Sequence, residues 1–187
     1  MAVNPRGFVP LRSLHGHVSF VTHRYPVSAS NPQALFVGDP VFLDASGNVR
    51  KINTSAPGSI GQRGVLGVIR SVLNSSERPL THNLPSSGHF IQGSTAGFVD
   101  VIDDPDVTFL VNADATATQN TVGMYVGVTA NAYASLAGTS GLSIRVADAT
   151  ASAIRQQFMV VGLGPDTVDR VFGGILDPQP GFDLVEG

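Results

Sequence analysis

Apolar residues in this chain recur at alternate positions in short runs, and the runs are broken by Gly, Pro and Asp. The densest example is residues 98–111, FVDVIDDPDVTFLV. Val99 and Val101 share one face of its first run, and Val107, Phe109 and Val111 one face of its second, as a strand's two-residue period requires. Asp103, Asp104, Pro105 and Asp106 stand between them. Pro105 fixes its own φ and biases Asp104 towards extended geometry, while the aspartates can hydrogen-bond nearby amides. The reading is strand, tight turn, strand: a hairpin whose carboxylates serve the turn. A calcium loop does not fit, because the regular oxygen-ligand spacing with a central Gly and a distal Glu is missing.

The same pattern continues on both sides. Residues 18–27 form a strand ended by Pro26. LFVGDPVFLDASGNVRKI, residues 35–52, reads as a strand, a Gly38-Asp39-Pro40 turn, a strand at 41–43, a Ser46-Gly47-Asn48 hairpin turn and a strand at 49–52. Residues 64–73 make another β run, 122–128 another, 157–163 another, and 170–176 a last one. The alanines of residues 148–155 permit one short helix, but interleaved Thr and Ser and the alternation of Ile154, Gln156, Phe158 and Val160 favour a strand. Residues 112–120 read as a polar Ala/Thr loop, and residues 74–94, rich in Ser, Pro and Gly, as the longest irregular connection.

These elements predict an all-β fold: a compact β-barrel or sandwich-like domain of short antiparallel strands over residues 18–176. Extended arms flank it at residues 1–17 and 177–187, where Pro and Gly punctuate isolated apolar residues. The arm residues expected to touch other subunits are Arg6, Phe8, Leu11 and Arg12 at the amino end, and Phe182 and Leu184 at the carboxyl end. Packing on their own domain is the other role open to them.

Composition narrows the chemistry. The 187 residues suffice for one domain with a substantial core, and without cysteine there is no disulfide, thiolate ligand or cysteine nucleophile. Eleven Lys and Arg against fourteen Asp and Glu give a net charge of −3, with Lys51 the only lysine, so bulk charge attracts no nucleic acid. Charged residues make up 13% of the chain, about half of the ~25% usual for soluble domains, which leaves a surface of small polar residues suited to a permanent partner. No run of residues is long and apolar enough to span a membrane and residues 1–10 lack a signal pattern, so a soluble product made in the cytoplasm is expected.

Catalytic and metal motifs are thin. His15, His17 and His23 include a His-x-His, which a strand would present on one face, but no carboxylate lies nearby; with His82 and His89 they read as surface or interface histidines. No serine sits in a Gly-x-Ser-x-Gly elbow. Residues 61–67 lack the Gly-Lys-Ser/Thr ending of a phosphate loop. Asp39 and the aspartates of residues 100–106 could supply a carboxylate pair, yet each has a turn or strand-edge explanation. No enzyme activity, metal or cofactor is expected.

Taken in order, LRSL (11–14), LFVGDPVFL (35–43), GVLGVI (64–69), FVDVIDDPDVTFLV (98–111), VGMYVGV (122–128) and MVVGL (159–163) resemble the decoration, or cement, proteins of tailed-bacteriophage heads. That resemblance implies a virion protein of the outer capsid surface, a homo-oligomer, dimer or trimer, bound to the major capsid protein and holding neighbouring capsomers together. It implies no contact with nucleic acid or membrane. The alternative is a carbohydrate- or host-surface-binding β module of a head fibre or tail. Sugar sites usually need stacking aromatics, and the chain has no Trp and only Tyr25, Tyr125 and Tyr133.

Overall fold

A computed structural model describes residues 7–14, 16, 19–52, 64–80, 90–130, 140–151, 158–163 and 170–175. Of residues 170–175 only the backbone is described. Thirteen strands are present among them: β1 (Val9–Ser13), β2 (His23–Val27), β3 (Leu35–Phe36), β4 (Pro40–Leu43), β5 (Val49–Lys51), β6 (Gly67–Asn74), β7 (Phe90–Ile91), β8 (Gly97–Ile102), β9 (Val107–Asn112), β10 (Tyr125–Ala130), β11 (Leu142–Thr150), β12 (Phe158–Leu163) and β13 (Arg170–Ile175). The fold is all-β, as the alternating pattern requires.

Every strand pairing is antiparallel. Six strands form one sheet in the order β1-β9-β13-β12-β10-β11, five form a second in the order β2-β8-β6-β4-β5, and β3 pairs with β7 in a small third. The six-stranded sheet curls: an isolated bridge joins Ala113, just past β9, to Ile144 of β11, and the Asp114 amide donates to the Ile144 carbonyl at 3.0 Å. One bridge is not a ladder, so the architecture is sandwich-like rather than a closed barrel.

Two apolar clusters hold the sheets. The first gathers Phe8, just before β1, and Val107, Phe109, Val111, Val126, Ile144, Phe158 and Val160 of the large sheet with Val68 and Ile102 from the second. The other lies on the five-stranded sheet, where Val27, Val41, Val49, Ile69, Val72, Val99 and Val101 pack with Leu35 and Ile91 of the β3–β7 pair. Val68 and Ile69, adjacent in β6, serve different clusters. This part of β6 is buried on both faces, which accounts for its continuous apolar run. Gly67 is required where β6 meets β8, because a Cβ there would collide with the Ile102 carbonyl oxygen.

Several expectations are corrected. β8 and β9 stand where predicted but do not form a hairpin: β8 lies between β2 and β6, β9 between β1 and β13, and residues 103–106 carry the chain from one sheet to the other. Side-chain alternation reports which face is buried, not which strand is the neighbour. Part of the amino-terminal segment read as an arm is a strand, with β1 pairing Val9 to Leu110 and Ser13 to Val107. Pro10 is tolerated because β1 is an edge strand with an irregularity between Pro10 and Arg12. Pro26 likewise sits inside edge strand β2 rather than ending it, and β2 begins only at His23.

Residues 112–120 are less a loop than expected, since Ala113 and Ala117 are buried in the first cluster and Gln119–Thr121 form a 3-10 turn. Gly123, at φ +81°, then turns the chain into β10, so Val122 precedes that strand instead of starting it. Residues 142–150 are strand, the alternative the sequence favoured over a short helix at 148–155, and residues 152–157 lie outside the described residues. Residues 75–80 fold back on β6, where the Leu80 amide donates to the Val72 carbonyl at 2.9 Å and Asn74 Oδ1 accepts from the Ser76 and Arg78 amides. Residues 81–89 of the long connection lie outside the described residues, and its far end is not irregular, since Phe90–Ile91 form β7.

Candidate functional site

Two polar groupings stand out against this low-charge body. The first is spread across three adjacent strands of the five-stranded sheet. Arg24 of β2 lies opposite Asp100 of β8, which lies opposite Ser71 of β6, so three side chains form a row across three strands. Arg24 donates from Nε to Asp100 Oδ1 at 2.8 Å and from an Nη to Glu77 Oε2 at 2.8 Å, and the Ser71 hydroxyl donates to Asp100 Oδ2 at 2.6 Å. Burial raises the Asp100 carboxyl, but the Arg24 and Ser71 hydrogen bonds outweigh it and hold the group below the usual carboxylate range.

One residue to either side of Arg24, His23 and Tyr25 reach the sheet-crossing turn. The His23 Nδ1 lies 2.8 and 2.9 Å from the two oxygens of Asp103, and the Tyr25 hydroxyl donates to Oδ2 at 2.7 Å. Burial opposes ionisation of Asp103 too, yet the Tyr25 and His23 contacts bring it below its ordinary value. Burial, then the Asp103 carboxylate, push the Tyr25 phenol up to about 12. Asp104 accepts the Asp106 amide at 2.9 Å, which is the local turn chemistry expected of it. Asp103 is different: it ties edge strand β2 to the crossover.

The second grouping is buried. Asp39, in the turn before β4, is 0% exposed; its Oδ2 accepts the Phe36 amide at 2.9 Å and meets Lys51 Nζ at 3.0 Å. Asp39 Oδ1 has no hydrogen-bond partner among the described residues. Burial pushes this carboxyl up, against the pull of Lys51, the nearby Ser140 hydroxyl and the Phe36 amide. Around it the Phe8 amide donates to the Gly38 carbonyl at 3.0 Å and the Ser140 amide to the Val37 carbonyl at 3.3 Å, so the turn is where the amino-terminal segment and the residues before β11 meet.

Of the residues expected to make contacts, Phe8 is 1% exposed, with its ring centroid 4.6 Å from that of Phe158 and 6.3 Å from that of Phe109. It belongs to the chain's own core. Leu11, 36% exposed, and Arg12, also exposed, lie on edge strand β1. Arg6, Phe182 and Leu184 lie outside the described residues, as do His15, His17, His82 and His89. Among the described residues no group of three or more His, Asp or Glu is placed to hold a metal ion. The structure brings His23 to Asp103 and Asp39 to Lys51, neither of which sequence spacing foretold. The one available signal was a charged residue inside an apolar strand, Asp100 in GFVDVI, which needs a cross-strand partner.

Comparison with protein-family models, curated proteins and solved structures finds no match for this chain.

Proposed function

We propose that this chain is a structural virion protein of the cement type, a homo-oligomer that binds the outside of a major capsid shell and stabilises it by bridging capsomers. The observation that carries the reading is the position of its exposed apolar side chains. Among the described residues, the exposed large apolar side chains are Leu11 on edge strand β1 and Val21, 59% exposed and two residues before edge strand β2. A subunit docking there would cover them and the small polar surface around them. The paired carboxylates support the same reading, since Asp100 and Asp103 tie strands together instead of facing a substrate. Several weak shell contacts per oligomer add up by effective concentration, and load-bearing of this kind requires no chemistry.

The alternative of a sugar-binding module is less well supported: the Tyr25 hydroxyl is committed to Asp103, and Tyr125 is half-buried.

Co-sedimentation with expanded capsids from the same source tests the proposal, comparing wild type with Leu11→Asp, Val21→Asp and a chain ending at residue 176. Removal of residues 1–12 is unsuitable, because it deletes Phe8 from the core and most of β1. Saturable binding that weakens on the order of tenfold in a folded variant supports the cement role. Absence of wild-type binding at micromolar concentration refutes it.

A further inference from the structure

Lys51, the chain's only lysine, ends β5 with a side chain 18% exposed, and its ammonium lies 5.3 Å over the Phe36 ring and 3.0 Å from Asp39 Oδ2. As an ion pair this arrangement is poor. Asp39 is fully buried, and among the described residues Oδ1 has no hydrogen-bond partner. Burial favours the uncharged carboxyl. A proton passed across the 3.0 Å contact would leave an amine, which is a nucleophile, beside a carboxylic acid.

The rest of the site is arranged for their reaction. The Phe36 amide donates to Oδ2, where negative charge would develop as nitrogen adds to the carboxyl carbon. Oδ1, which has no partner among the described residues, is the oxygen that departs. Register opposes Val41 to Lys51 and so holds amine and carboxyl together at one end of the β4–β5 hairpin.

We propose that Lys51 and Asp39 condense into an intramolecular amide, an isopeptide bond that staples edge strand β5 to the turn before β4. Lys51 Nζ attacks Asp39 Cγ; the Nζ–Cγ bond forms and the Cγ–Oδ1 bond breaks. Oδ1 leaves as water, taking the acid's proton and one proton from the amine, while Oδ2 remains as the amide carbonyl on the Phe36 N–H. Amine and acid give amide and water, with no oxidant, reductant or cofactor. The condensation removes the orphaned oxygen and the charge of the buried carboxylate. The inference is independent of the capsid reading.

Intact-mass measurement of the purified full chain, after prolonged incubation at neutral pH, tests it. The expected mass is one water below that of the sequence, with residues 25–50 joined to residues 51–63 in a tryptic digest. A cyclic imide at Asp39 cannot mimic this, because Pro40 supplies no amide N–H. Lys51→Arg should show its full sequence mass; water loss persisting in that variant would overturn the assignment. Dilute acid under denaturing conditions offers an internally controlled readout, since cleavage at Asp–Pro bonds needs a free carboxyl. Asp39–Pro40 should resist while Asp104–Pro105 and Asp177–Pro178 are cut. Wild type at full sequence mass, with all three bonds cut alike, overturns the proposal.

Discussion

Phe8→Ala separates a core residue from a docking residue. The Phe8 ring is 1% exposed and sits against Phe109 and Phe158, with centroids 6.3 and 4.6 Å away. Truncation removes the ring's transfer free energy and leaves a cavity between two aromatics that the ladder of β9 and the packing of β12 hold in place; such a change costs about 3–5 kcal/mol. In a chain of this size each kcal/mol lowers the melting temperature by about 2–4 °C, so a fall of about 6–20 °C is expected. The assay is cooperative unfolding by heat and by denaturant, with Leu11→Ala alongside. Leu11, partly exposed at the edge, should cost under about 1 kcal/mol. A Phe8→Ala penalty below about 1 kcal/mol, together with lost capsid binding, would refute the core assignment and return Phe8 to the contact surface.

Acid should loosen β2. Asp100 and Asp103 are depressed in the fold, so their stabilisation is present above the unfolded carboxylate value of about 4 and is lost as pH falls through their folded values; Asp103→Asn should cost about 1–2 kcal/mol at neutral pH and flatten the acid limb of a stability–pH profile. At the alkaline end the sign reverses. The Tyr25 phenol is raised to about 12, so its contribution is whole below about pH 10 and fades as pH rises towards 12; Tyr25→Phe should lose that limb in the same titration. Gly7→Ala should destabilise by about 2–4 kcal/mol in denaturant unfolding, because φ is +63° and a Cβ would meet the Ser140 side chain and, at 2.7 Å, the Gly38 carbonyl oxygen; a neutral result would mean that the Gly7–Ser140 contact is not held in solution.

What the sequence determined by itself was local: where strands fall and where they turn. Alternating Val99/Val101 and Val107/Phe109/Val111, the Gly38-Asp39-Pro40 turn and the residues 46–48 turn all lie where the pattern placed them, because strand periodicity and turn chemistry depend on a residue and its near neighbours. Partner choice was not legible. β8 and β9 adjoin in sequence yet belong to different sheets, Phe8 leaves a Pro- and Gly-rich segment to fill a core, and Asp103 and Asp39, both turn residues by sequence, take partners from β2 and β5. Only the tertiary structure decided these matters. They depend on which distant surfaces bury each other and which buried charges then need a partner, and those are properties of the assembled sheets rather than of any single stretch.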